Sequence, residues 1–422
     1  MQVTITPSAT AGSLMIPASK SLSHRALICA GLAKGQSAIS HLGNSRDIQA
    51  TMDCLKALGA SFNQKDDVLL VEGCNPAALS SPVSLDAYES GSTLRFFIPI
   101  AASSSAPITF HGQPTLLSRP MGIYANIFLE QNLPFEQSGE AIRFHGPLQG
   151  GLYTLNGNVS SQFISGLLMA GPLLSGLELA VLPPYQSRSY VDLTTSMMSR
   201  FGIQIEEPTS EAYRIEPGQT YQPANVFVES DWSQAAFFLV LGYLNGTLHL
   251  EGLNPDSLQG DRVIYDLVRQ AGAKVEWQKD TLVVSPDTRK PLTIDLADCP
   301  DLGPILCVMA AYTPGVTRIE HAARLRYKEC DRISAMEDEL RKWGVDISSD
   351  EDSITIVGKS SYKKEQPVHI DSHNDHRIAM AMAVFGCCAE SSSVIEDAQA
   401  INKSYPDFFE DLKKIQGKVE IQ

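Results

Sequence analysis

Residues 267–277, LVRQAGAKVEW, hold a helix tail, a glycine and a short strand in eleven positions. Leu267, Val268 and Ala271 are spaced as on the apolar face of a helix. Gly272 offers the left-handed backbone that commonly closes a helix, and KVEW then alternates as a strand does. The same succession recurs as LKALGASF around Gly59, IFLEQNLPFE around Asn132, MMSRFGIQIE around Gly202, LRKWGVDI around Gly344 and LKKIQGKVEI around Gly417. Asn132 is the exception to glycine, and asparagine is the other residue that tolerates a left-handed cap. Successive positions lie 73, 70, 70, 72 and 73 residues apart, so six similar units fill the chain.

Each unit has room for two helices and about four short strands, more than the familiar solenoid repeats contain. Six units divide as three plus three, giving two similar α/β domains. Proline-containing connections at 12–19 (GSLMIPAS) and 218–230 (GQTYQPANVFVES) are the expected crossings, so the expected domains are residues 1–18 plus 230–422 and residues 19–229. Charged and hydroxyl-rich motifs sit at both crossings, which predicts an active-site cleft between the domains.

The chain is acidic, with a formal net charge of −15 over 422 residues. That argues against nucleic acid or a membrane surface as partner, since both attract basic patches. Eight cysteines without a C-x-x-C spacing, and no secretory apolar segment in MQVTITPSATAG, read as reduced thiols in a cytoplasmic protein. The longest apolar runs, AAFFLVLGYL and AMAMAVFGCCA, are too short to span a bilayer. Walker, dinucleotide-binding, zincin and nucleophile-elbow motifs are absent.

Against that acidic background, cations gather where helices begin. In PASKSLSHRALICAGLAKG, residues 17–35, Ser19 is placed to cap a helix ending at Gly31 or Gly35. Lys20, Ser21, His24 and Arg25 then fall within about 140° of one face. YESGSTLRF places Gly91 in a small-residue turn ahead of Arg95, and LLSRPMG puts Arg119 on an extended segment before Pro120. NVSSQFISGLL opens an apolar helix with Ser160, Ser161 and Gln162. RYKECDR is expected to set Lys328, Glu329 and Arg332 on one face at the head of a helix. In DSHNDHRIAMA, Asn374 and Asp375 are expected to cap a helix opened by His376 and Arg377, and NKSYPDFF to set Lys403 at another helix start. Asp371, His373, Asp375 and His376 also read as a metal set, but capping accounts for Asp375 and nothing elsewhere supplies a matching motif. Helix N-termini bearing cations favour anions, so phosphate groups are the expected ligands. Asp301 in DCPDLGP and Glu329, carboxylates among cations, are the candidates for proton transfer.

Taken together, ASKSLSHRAL, SGSTLR, SRPMG, SSQFISGLL, SYVDLT, CPDLGP, YKECDR, NDHRIAMA and NKSYPDFF, in this order, resemble the 3-phosphoshikimate 1-carboxyvinyltransferase (EPSP synthase) family over essentially the full chain. The resemblance implies two inside-out α/β domains, each of three similar repeats, with helices inside and sheets outside. It implies transfer of the carboxyvinyl group of phosphoenolpyruvate to the 5-hydroxyl of shikimate 3-phosphate, with release of phosphate, by a single chain without metal or cofactor. By carry-over, Lys20, Ser21, Arg25, Ser160, Ser161, Gln162, Ser187, Tyr190, Asp301, Arg324 and Lys328 would hold shikimate 3-phosphate. Lys20, Gly91, Arg119, Gln162, Arg332, His376, Arg377 and Lys403 would hold phosphoenolpyruvate. Asp301, Glu329 and Lys20 would move protons.

Two positions depart from that family's pattern: Glu89 and Arg324 stand where many members have Asn. They are expected to act as one exchanged pair. The sister family, UDP-N-acetylglucosamine 1-carboxyvinyltransferase, carries a cysteine in a mobile loop, and GQPTLLSRPMG has none. An RNA-binding or RNA-end-modifying protein of related units is disfavoured by the net charge.

Overall fold

The segments WSQAAFFLVLGYLN, GPILCVMAA and HRIAMAMAVFGCC are apolar on nearly every side, and such helices must be covered on every side. They form the helices Trp232–Asn245, Gly303–Ala311 and His376–Cys388, almost every residue of which is buried. Three more such helices are Lys20–Leu32, Gly91–Ala101 and Ser161–Ala170. The computed structural model describes residues 1–422 and divides into two units. Met1–Pro17 with Ser230–Gln422 forms a discontinuous unit, and Ala18–Glu229 a continuous one. Each unit holds three of these inner helices and has its own hydrophobic core. No helix is long and apolar enough to cross a membrane.

Around the inner helices stand six four-stranded sheets, three per unit, built to one plan. An edge strand pairs in parallel with a second, which pairs antiparallel with a third, which pairs antiparallel with the outermost strand. In one sheet Gly12–Met15 lies parallel to Leu248–Glu251, followed by Thr281–Ser285 and Lys274–Gln278. Strands such as Leu177–Leu182 alternate buried and exposed residues, with one face on the core and one in water. This is an inside-out α/β arrangement, with helices within and sheets without.

Like the sheet that joins Gly12–Met15 to Leu248–Glu251, two others complete themselves with distant chain. Asn225–Phe227 returns to lie parallel to Gln36–Ser40. The strand Val3–Thr6 inserts between Ser393–Glu396 and Lys418–Ile421, so the first strand of the chain supplies the third place of the last sheet.

A second helix in each repeat packs outside the inner one and is amphipathic. In Ile264–Ala271 the buried residues are Ile264, Leu267, Val268 and Ala271, the spacing of a single apolar stripe. These outer helices all end alike. The N–H groups of Ala60, Leu133, Ile203, Ala273, Val345 and Gly417 each donate to the carbonyl five residues back. The residue before each donates to the carbonyl three residues back, completing a Schellman motif six times. The left-handed residues are Gly59, Asn132, Gly202, Gly272, Gly344 and Gln416.

The last of these corrects the expectation at Gly417. Gln416, with φ of 70°, takes the left-handed conformation, and Gly417 occupies the next position. A Cβ at Gly417 would stand 2.7 Å from the Leu412 carbonyl oxygen, so glycine here serves close approach. The strand that follows each motif is always the outermost of its sheet.

Gly31 likewise does not end the first helix, which runs on to Leu32. A Cβ there would meet Leu55 at 2.6 Å, so the glycine admits the neighbouring outer helix.

Candidate active site

In the continuous unit Ser19, Ser90 and Ser160 cap the three inner helices, accepting from the N–H groups of Leu22, Thr93 and Gln162. No acid occupies the first turn of any of the three, so the positive ends of their dipoles are not offset locally. Lys20 is the first helical residue, and its Nζ lies 2.9 Å from the Asp47 carboxylate. Arg25 is buried, donating from Nε to Thr194 Oγ1 at 2.7 Å and from Nη1 and Nη2 to the carbonyls of Ser21 and Tyr190 at 2.7 and 2.8 Å. Its guanidinium sits 5.3 Å from the Phe96 ring centroid. Burial draws its pKa down to about 10, which leaves it cationic at neutral pH.

Gln162 ties two helix starts together. Its Oε1 accepts from Arg95 Nη1 at 2.6 Å and its Nε2 donates to Ser92 Oγ at 2.9 Å. Gly91 faces two guanidiniums: a Cβ there would lie 2.9 Å from Arg119 Nη1 and 3.1 Å from Arg95 Nη1. Glycine is what lets both approach this helix start. Arg119 lies half-buried in the bend between the helices Pro114–Leu117 and Gly122–Glu130. Ser161 is buried at the first position of its helix. Ser187, buried and left-handed with φ of 55°, precedes the helix Arg188–Arg200, whose first turn carries Tyr190.

His24 shares the helical face of Lys20 and Arg25 but belongs to the interior. Its Nδ1 is 2.7 Å from Thr51 Oγ1, and burial, with Lys20 and Arg25 nearby, holds its pKa well below the usual value.

In the discontinuous unit Asp301 is the centre of a cationic cluster. Its Oδ1 accepts from Lys328 Nζ and Arg332 Nη1, both at 3.1 Å, and its Oδ2 from Arg377 Nη2 at 3.0 Å. Partial burial alone would raise its pKa, but Arg377, Lys328 and Arg332 together hold it well below the carboxylate range. Lys328 moves down as well, because desolvation and the neighbouring Arg332 and Arg324 outweigh the attraction of Asp301. Arg332 is buried, yet Asp375, Glu329 and Asp301 hold its pKa above the usual value. It is bidentate to Asp375, with Nε at 2.7 Å and Nη2 at 3.3 Å, and its Nη2 lies 2.7 Å from Glu329 Oε2. Asp375 also caps the helix His376–Cys388, accepting from the Arg377 N–H at 2.8 Å. Lys403 Nζ donates to the Asn374 carbonyl at 2.7 Å.

A profile of the EPSP synthase (3-phosphoshikimate 1-carboxyvinyltransferase) family matches residues 5–412. A 3-phosphoshikimate 1-carboxyvinyltransferase of Clostridium kluyveri is 39% identical over 421 residues, covering 99% of this chain and 98% of that protein. One of Clostridium novyi is 40% identical over 430 residues, with the same coverages of 99% and 98%.

The chain belongs to the EPSP synthase family.

A crystallised EPSP synthase of Acinetobacter baumannii superposes with a TM-score of 0.80 at 25% identity, covering 100% of this chain and 99% of that one. The enolpyruvyl transferase NikO of Streptomyces tendae, at 16% identity and a TM-score of 0.78, shares the fold. The family membership favours the shikimate reading over the sister carboxyvinyltransferase.

Two local expectations for this EPSP synthase family member are corrected. Lys328 and Glu329 do not lie on a helical face: the helix begins at Arg332, and they follow the short turn Ala323–Tyr327 that carries Arg324. Asp331 is the reason, since its carboxylate accepts from Ile333 and Ser334 N–H, which requires an extended backbone at 331. Lys403 ends the turn Ala398–Lys403 and does not open a helix; Pro406 lies in the following turn, and the helix starts at Phe408. The sequence offered Asp375 as a cap or as one of a metal set, and neither reading held its pairing with Arg332. Asp47, the partner of Lys20, carried no signal beyond being polar; Thr194 lies in SYVDLT and Asn374 in NDHRIAMA, but neither stretch tells that they meet Arg25 and Lys403.

Proposed function

We propose that this protein transfers the carboxyvinyl group of phosphoenolpyruvate to the 5-hydroxyl of shikimate 3-phosphate and releases phosphate. The observation that carries the reading is Asp301, a carboxylate held ionised by three cations in a chain whose full-length relatives bear this activity by name. In the proposed sequence the 5-hydroxyl oxygen attacks C2 of phosphoenolpyruvate while Asp301 takes its proton, and C3 gains a proton to become a methyl group. Loss of a proton from that methyl group then expels phosphate and restores the double bond.

Asp301 resting among cations is a weak base. Once Lys328, Arg332 and Arg377 turn toward anionic substrates, its proton affinity rises, which places its basicity at the step that needs it. Glu329 and Lys20 are proposed to give and take the C3 proton. Lys20, Ser21, Arg25, Ser160, Ser161, Gln162, Ser187, Tyr190, Arg324 and Lys328 are proposed to hold shikimate 3-phosphate. Gly91, Arg119, Gln162, Arg332, His376, Arg377 and Lys403 are proposed to hold phosphoenolpyruvate. Single-chain action in the cytoplasm completes the proposal, and the eight unpaired cysteines support that compartment.

The test is release of phosphate from the two substrates together and from neither alone. Asp301→Ala should lower kcat by about 10²–10⁴-fold, the usual contribution of a general base, while acceptor binding stays measurable. A variant keeping more than about a tenth of wild-type turnover at saturation removes Asp301 from that role.

A further inference from the structure

Glu339 lies outside the proposed site, in the helix Arg332–Trp343, and is 1% exposed. A buried carboxylate needs donors, and this one has them from two directions. From its own helix Lys342 Nζ stands 2.9 and 2.7 Å from its two oxygens. From the segment 371–375, His373 Nε2 lies 3.0 Å from Oε1 and the Asp371 N–H donates to Oε2 at 3.2 Å.

That segment carries strain. His373 and Asn374 are both left-handed, with φ of 51° and 50°. Non-glycine residues adopt that region at a cost, smaller for asparagine, and persist there only where surrounding structure over-determines them. What the strained segment presents is functional: the Asn374 carbonyl receives Lys403, and Asp375 receives Arg332 and starts the helix bearing Arg377. Three cations proposed to hold phosphoenolpyruvate therefore depend on five residues, and Glu339 fastens those five to the helix that begins with Arg332.

We propose that Glu339 is a positioning residue for phosphoenolpyruvate, acting through His373 and the Asp371 backbone to hold Arg332, Arg377 and Lys403 in place. This rests on the function proposed above. Loss of Glu339 frees the segment to relax out of its left-handed conformation, which moves Arg332, Arg377 and Lys403 directly, reaches the acceptor's Asp301 only through Arg332 and Arg377, and leaves the acceptor residues of the continuous unit untouched.

The experiment measures both Michaelis constants and kcat for wild type, Glu339→Ala, His373→Ala and Lys342→Ala, with thermal unfolding of each. Glu339→Ala should raise KM for phosphoenolpyruvate about tenfold or more, while KM for shikimate 3-phosphate stays within about twofold. His373→Ala, at a partly exposed position, should show the same split in a smaller degree, and decides the matter should Glu339→Ala fail to fold. Lys342→Ala, which removes only a solvent-side partner, should leave both constants unchanged. Equal rises in both constants, or an unchanged KM for phosphoenolpyruvate in a folded variant, overturn the proposal. Wild-type protein that releases no phosphate from these substrates overturns the functional reading instead.

Discussion

At the scale of single residues, the discontinuous unit holds two carboxyls pushed in opposite directions. Asp301 is driven down by its cations, whereas Asp261 is buried, hydrogen-bonded by the Ser233 hydroxyl at one oxygen, and raised to about 7. Burial is the main cause, with the negative charge of Asp301 next; Arg377 and Ser233 oppose the shift. The unfolded chain loses this proton near 3.8 and the folded protein near 7. Between those values the folded state holds the extra proton, so stability falls as pH rises through the window. Asp261→Asn removes that slope. Its urea midpoint should exceed that of wild type at pH 8, with the gap closing as the pH falls toward 5; a pH-independent difference would refute the assignment.

At the scale of elements, the six Schellman motifs form an internal series. Gln416 adopts a left-handed backbone that glycine takes freely, so Gln416→Gly should stabilise by about 0.5–1 kcal/mol. Gly272→Ala should destabilise by more than about 1 kcal/mol, because it adds left-handed strain and sets a Cβ 2.6 Å from the Thr288 carbonyl oxygen. Asn132→Gly should change little, asparagine being tolerant of that region. Urea unfolding of the three variants tests the ordering, and a destabilised Gln416→Gly would contradict it.

At the scale of the whole molecule, the chain's three tryptophans, Trp232, Trp277 and Trp343, all lie in the discontinuous unit. Tryptophan fluorescence during denaturation therefore reports on that unit alone. Most residues proposed to hold shikimate 3-phosphate lie in the continuous unit, with Asp301, Arg324 and Lys328 in the other. Saturating shikimate 3-phosphate should still raise the fluorescence midpoint, because a ligand stabilises every unit it binds. An unmoved midpoint, with binding shown by calorimetry, would confine this substrate to the continuous unit.

The repeat, the α/β class and the cations at the starts of inner helices were legible in sequence, because each is a local signal. A left-handed cap needs glycine or asparagine, an inner helix needs apolar residues all round, and an anion site needs cations at helix starts. Even so, Gly417 misled by one position, since glycine serves both left-handed turns and close approach, and only the Leu412 carbonyl beside it tells the two apart. Tertiary structure alone decided partners distant in the chain. Asp375 reads as a cap from its neighbours, but Arg332 stands 43 positions away. The 34 positions between Glu339 and His373 hide that pair entirely. Sequence determines which groups are present and what local backbone they favour; which charge meets which depends on packing, and that information is spread over the whole core.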